Sequence, residues 1–241
     1  MLLLSTAADL YWLGRYLTRA QELLTLLVAA FTAPSRENLT IPLSLTATGS
    51  YYYQQYTELK QAHLAHFFSD EQNMSSVTSC ISAIRADAQA TRGYLPNQIW
   101  LAVNGIYLEW QAHLLTQKDQ TFWLGSYQKL KLQLDELSQA IASQEQQSLT
   151  IFVGIGQHIE GLDTLLRHGL VKQTLSFDYE QALIVAQQLQ AKLDLLPSEL
   201  WQQAQNNALV LSRLVIEQEP ILAIQQQLQA LTKALADVFA R

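Results

Sequence analysis

Arg15 and Arg19 stand four residues apart, and Glu160 and Asp163 stand three apart. On a helix either spacing puts both side chains on one face. A guanidinium is a planar fork that suits a carboxylate, so two helices carrying these pairs would meet base against acid. One reading is an ordinary set of buried or half-buried ion pairs that fixes helix register. The other is a polar cleft that grips a peptide carboxylate or a partner's loop. Arg85 and Arg92, seven apart and so two turns along one face, are candidates for the same seam or else solvated helix arginines.

Other chemistry finds less support. His63-x-x-His66 and Glu109-x-x-x-His113 have helical spacing that suits metal ligation. A di-metal helical bundle needs Glu-x-x-His on two helices, however, and the chain has none. These histidines read as surface residues, and neither a metal nor a cofactor is expected. Cys80 is the single cysteine, inside a predicted helix, where it reads as a small buried hydrophobe and permits no intrachain disulfide. Gly154-Ile155-Gly156 lacks the third glycine and the preceding strand of a dinucleotide loop, and no phosphate loop is present. The residues therefore present no recognisable catalytic apparatus.

Net charge is −6 with no Lys/Arg cluster, which disfavours nucleic acid as a partner. Cysteine usage points to a reducing compartment, so the cytoplasm is expected. Met1-Leu2-Leu3-Leu4 has no basic flank, and Asp9 and Arg15 interrupt the apolar run that follows. The apolar stretch 23–33 falls well short of the roughly 20 residues that cross a bilayer. No membrane anchor is expected.

The elements that must carry these residues are helices. Of 241 residues, 49% are hydrophobic and only 15% charged, with glutamine filling much of the polar surface. Nine glycines and five prolines leave little material for turns, which argues for few, long elements. Leu10, Leu13, Leu17, Ala20, Leu24, Leu27 and Phe31 recur at helical spacing and predict a helix over 6–32, with Ser5 or Thr6 as its N-cap. Residues 34–46, with Pro34 and Pro42, read as a loop. Further helices are predicted over about 48–69, 74–93, 96–116, 121–146, 149–169, 179–195, 197–218 and from 220 onward. Gly93 is placed as a helix-ending glycine, Gly169 near the end of the sixth helix, Asp178 as a cap, and Lys118 to Gln120 as a turn. Tyr51, Tyr52, Tyr53 and Tyr56 cannot all face one way, so one or two must be exposed or touch a partner. The expected fold is all-α: a multi-helix, bundle-like single domain over 1–241.

Residues 10–21 and 152–163 look alike at an offset of about 142 residues, a weak internal duplication. Gly14 aligns with Gly156, Thr18 with Glu160, Arg19 with Gly161, and Gln21 with Asp163. A mid-helix glycine costs roughly 1 kcal/mol against alanine, and close approach of a second helix is the natural compensation. Gly14 and Gly156 are thus expected to mark a close helix–helix contact.

The stretch Leu10-Tyr-Trp-Leu-Gly-Arg-Tyr-Leu-Thr-Arg-Ala20 resembles the opening of the alpha-E family, a bacterial all-helical domain of unknown function named for a Glu-Arg motif. Asn73-Met-Ser-Ser-Val-Thr-Ser-Cys80, Arg85, Arg92, Trp100, Asn104 and Tyr107 extend the likeness, and 152–163 match more weakly. The chain departs from the family pattern where the motif glutamate is Thr18 and the next acidic position is Gln21. The second copy keeps Glu160 but has Gly161 for the arginine, and Arg85-Ala86-Asp87-Ala88-Gln89 replaces Arg-Glu-Asn-Ala-Arg. The resemblance implies a divergent member. It also implies a non-catalytic accessory protein, partnered with an ATP-grasp-type peptide ligase or a transglutaminase-like peptidase in peptide synthesis or modification. Two other readings stay open: an enzyme or peptide-binding protein using the Arg/Glu cleft, and a homo-oligomeric module joined through the exposed tyrosines.

Overall fold

The computed structural model describes residues 2–115, 120–172 and 177–241. Eleven helices account for most of the described residues, and no strand occurs among them. They are α1 (Leu4–Thr32), α2 (Arg36–Leu45), α3 (Gly49–Gln55), α4 (Gln61–Ser69), α5 (Val77–Ala90), α6 (Asn97–Leu114), α7 (Gln120–Ala142), α8 (Gln147–Lys172), α9 (Tyr179–Asp194), α10 (Ser198–Ile216) and α11 (Ile221–Phe239). None is long and apolar enough, over its described residues, to cross a membrane. The chain divides into two compact units, one made of the chain up to Arg15 with Ala142–Arg241, the other of Tyr16–Ile141.

In the first unit, α8, α9, α10 and α11 each pack on the next, and α11 returns to α8, closing a four-helix bundle. Short connections make this arrangement the natural one for antiparallel neighbours. The Asp178 carboxylate accepts the Gln181 amide at 2.9 Å and caps α9 as expected. An aromatic cluster pins the last helix. Phe239 lies 5.3 Å from Tyr11, 5.6 Å from Trp201 and 6.5 Å from Phe152, ring centre to ring centre.

The second unit holds the remainder of α1 with α2 to α7. Its core is also aromatic. Phe31 meets Tyr127 edge-on at 5.5 Å, Trp123 stacks on Tyr127 at 5.6 Å, and Tyr52, Phe67 and Phe68 are fully buried. The Trp110 indole donates to the Thr78 hydroxyl at 2.9 Å, which satisfies both groups in the interior.

Four expectations need correction. Residues 36–45 are helical although Pro42 sits inside them. Ser35 caps the helix by accepting the Asn38 amide at 3.0 Å, and Leu39, Leu43 and Leu45 bury one face. That burial offsets the backbone hydrogen bond proline forfeits only three residues before the helix ends. The stretch 48–69 is two helices, because Tyr56 turns extended (φ −129°) and the chain restarts after Lys60. There the Gln61 amide donates to the carbonyls of Ala30 and Phe31, at 3.1 and 3.2 Å, and so caps the end of α1. Ser5 and Thr6 lie within α1, which starts at Leu4. Finally, α5 stops at Ala90 with Thr91 as its cap, two residues before Gly93. The turn expected at Lys118 to Gln120 lies largely outside the described residues.

Candidate functional site

Helices α1 and α8 cross backbone to backbone. A Cβ added at Gly14 would sit 2.1 Å from the Val153 carbonyl oxygen, and one added at Gly156 would sit 2.1 Å from that of Tyr11. No side chain larger than hydrogen fits at either place, so the two glycines set how closely the helices approach. This is the contact their mid-helix positions led us to expect.

Next to the crossing, Arg15 reaches Glu160. Its Nε donates to Oε2 at 2.8 Å and its Nη2 lies 2.7 Å from the same oxygen. The fork thus closes on one carboxylate oxygen. Nη1 donates to the Tyr11 hydroxyl at 3.3 Å, and the Trp12 ring lies 5.2 Å from the guanidinium carbon. Arg15 is 9% exposed and Glu160 3%. Burial is the largest influence on the guanidinium and works against its charge. The Glu160 carboxylate and the Tyr11 hydroxyl more than offset it, so the Arg15 pKa is raised. The pair is closed in and partnered, the geometry of a register-fixing ion pair rather than of an open cleft.

Of the other residues of the expected seam, Asp163, Arg85 and Arg92 take partners outside it. Asp163 pairs with Arg167 one turn along its own helix, at 2.5 Å, because an (i, i+4) partner is within reach without crossing to α1. Arg19 lies over the Tyr16 ring at 5.5 Å. Arg85 and Arg92 both lean on α6. Arg85 Nε donates to Asn104 at 3.0 Å with its guanidinium 4.5 Å from the Tyr107 ring centre, and Arg92 sits 5.1 Å from that of Trp100. The seven-residue spacing on α5 matches the seven-residue spacing of the two aromatics on α6, giving two cation–π rungs in place of seam charges.

His158, two residues before Glu160 on α8, is a site residue that sequence reasoning missed. Burial pushes its pKa down to about 4, and Lys192 of α9 adds to the effect. The second unit holds another missed polar cluster. The Gln21 amide donates to Asp135 at 2.8 Å, Lys131 donates to the other oxygen of Asp135 at 2.7 Å, and burial raises the pKa of Glu22 despite Lys131 nearby. The Lys131-x-x-x-Asp135 spacing was its only signal in the sequence.

His63 and His66 surround a phenol rather than a vacant ligand position. Tyr56 stacks on His63 at 4.8 Å and shares a 2.6 Å hydrogen bond with His66 Nδ1. Glu109 is held by Lys129 and by Gln133 (2.7 Å), which lower its pKa, while His113 Nδ1 bonds the Glu109 carbonyl at 2.8 Å. Among the described residues, no three His, Cys, Asp or Glu side chains gather as a metal would need. A cavity of about 440 Å³ in the first unit opens where α1, α8 and α10 begin, and its walls include Leu4, Ile151, Phe152, Leu200 and Trp201 with Glu199 at its edge.

These features define an all-helical scaffold in which a buried arginine–glutamate pair and two glycines lock a long helix onto a bundle. The chain belongs to the Alpha-E family: the family model, described as a predicted alpha-helical domain with a conserved ER motif, matches residues 2–238 and so spans both units. No curated protein and no solved structure matches the chain.

Proposed function

We propose that the chain is a non-catalytic accessory protein that binds an ATP-grasp-type peptide ligase or a transglutaminase-like peptidase, or the peptide such an enzyme handles. The enclosure of Arg15 and Glu160 carries this reading. A charge pair that is 9% and 3% exposed holds the helices together and offers no face to a substrate. The class of partner is what the resemblance to the family implies. The test is reconstitution with an ATP-grasp-type ligase from the same source. Peptide-bond formation should require ATP and both proteins, and the two should co-elute. A ligase indifferent to this chain, with no complex formed, would remove the proposal.

The cavity between the starts of α1, α8 and α10 favours the peptide as the bound species over the enzyme's body. It is large enough for one bulky apolar side chain, and Glu199 stands where a peptide amine would find a counter-charge. Leu195→Glu at the exposed lip should abolish peptide binding measured by calorimetry while leaving the ligase complex intact.

A further inference from the structure

Two arginines of the second unit are held in place by their neighbours and yet have no counter-charge. The Arg85 guanidinium lies 4.5 Å from the Tyr107 ring centre, and its Nε donates to the Asn104 side-chain oxygen at 3.0 Å. Arg92, just past the end of α5, lies 5.1 Å from the ring centre of Trp100. Among the described residues, no carboxylate pairs with either guanidinium. Helices α5 and α6 carry one acid each, Asp87 and Glu109. These stand two residues after Arg85 and Tyr107, and so are turned about half a turn away from them. Lys129 holds Glu109 as well. The face that bears Arg85, Gln89 and Arg92 beside Trp100, Asn104 and Tyr107 therefore has two positive charges and no negative one. It does so in a chain whose net charge is −6.

Stacking on Tyr107 and the bond to Asn104 already restrict the Arg85 side chain, so little rotamer freedom is left to lose when a ligand arrives. A guanidinium donates in its own plane. With Nε taken by Asn104, the edge bearing Nη1 and Nη2 is left, and that edge matches the two oxygens of a carboxylate. Trp100 and Tyr107 are seven residues apart on α6, which spaces the two stacked arginines by about 10 Å. An α-helix with carboxylates seven residues apart repeats that distance on one face. An extended peptide does not, because three residues span about 10 Å but turn the two side chains to opposite sides. We propose that the α5–α6 face docks an acidic helix of a partner protein, with one carboxylate on Arg85 and a second, two turns along, on Arg92. Nucleic acid suits the face less well. Its affinity comes from neutralising many phosphates, and here only two cations stand against a net charge of −6. The same count disfavours an anionic bilayer. The face belongs to the second unit and depends neither on the enzyme partner proposed above nor on the cavity of the first unit.

The test is fluorescence anisotropy, titrating the full chain into a capped alanine–glutamine helical peptide that carries a neutral dye. The only charges of this peptide are two glutamates seven residues apart. The chain should bind it, and replacing both glutamates by glutamine should weaken binding by about tenfold or more. Moving the glutamates to five residues apart, and so onto different faces, should do the same. Arg85→Gln and Arg92→Gln should each weaken binding by about tenfold, with the circular dichroism unchanged. Arg85→Lys should bind no better than Arg85→Gln, since an ammonium has no fork. A peptide bound no better than its glutamine form, indifference to both glutamine variants of the chain, or no binding at millimolar chain would each overturn the proposal. So would a single-stranded oligonucleotide or a phosphatidylserine vesicle that binds more tightly than the peptide and is released by the same variants.

Discussion

Arg15 and Glu160 are 145 residues apart in sequence and joined through a single carboxylate oxygen, Oε2, which takes both Nε and Nη2 of the guanidinium. Removing one member leaves the other charge buried among Tyr11 and Trp12 with its main partner gone. Glu160→Gln should therefore cost about 3 kcal/mol in urea unfolding. Arg15→Met with Glu160→Leu should restore most of that loss, because a well-packed apolar pair can replace a buried ion pair at little cost. A double variant no better than the single one would refute a direct coupling.

Alanine scanning of the glycines of α1 and α8 should split sharply. Gly14→Ala and Gly156→Ala force a methyl group onto a carbonyl oxygen and should each cost about 2–3 kcal/mol. Gly161→Ala, in open space on the same helix as Gly156, should gain up to about 1 kcal/mol from helix propensity. Thermal melts of the three variants check the contrast. Equal effects would mean the crossing is looser than described.

How far this was legible depends on the residue. Gly14 and Gly156 announced a close helix crossing because glycine inside an apolar-periodic helix needs a reason. The long α1 followed from unbroken spacing between Leu10 and Phe31. Charge matching was harder to read. Arg15 reaches Glu160 because its backbone lies against Gly156 at the crossing, a placement that spacing within α1 does not reveal. Asp163 had a nearer partner in Arg167, so local pairing won over the cross-helix pair. Helix α2 was hidden by Pro42, whose breaking signal is outweighed by a serine cap and three buried leucines. The division of 48–69 depends on Gln61 reaching back to the end of α1, a contact between segments some 30 residues apart that periodicity does not encode.

Acid should destabilise the protein through His158. Its pKa in the folded chain is about 4, below the ordinary 6.5, so between those values the unfolded chain binds the proton first. The stability it permits is complete above pH 6.5, declines as pH falls, and is fully lost below about pH 4. The whole span is worth about 3 kcal/mol. Denaturant titrations at intervals from pH 7 to pH 4, compared with His158→Gln, should show a steeper decline for the parent chain. Parallel curves would refute the assignment. Glu22 and Asp9, whose pKa values burial raises, act in the opposite sense in both chains and cancel in the comparison.

Tyr127 buries its hydroxyl without a hydrogen-bond partner, and burial drives its pKa upward. Tyr127→Phe removes that unsatisfied group while keeping the ring between Phe31 and Trp123, and should raise stability by about 1 kcal/mol. Tyr127→Ala should lower it by about 3–5 kcal/mol through the hole it leaves. Loss of stability in the phenylalanine variant would show that the hydroxyl has a role the packing does not reveal.

The first unit is assembled from segments at opposite ends of the sequence, up to Arg15 and from Ala142 onward. During synthesis the apolar stripe of Ala7, Leu10 and Leu13 emerges long before the α8 backbone it packs against. At ordinary ribosomal speed the wait is roughly ten seconds. A nascent chain stalled before residue 142 therefore exposes a greasy, half-dressed helix and is a natural client for chaperones. Release of that chaperone should coincide with completion of α8.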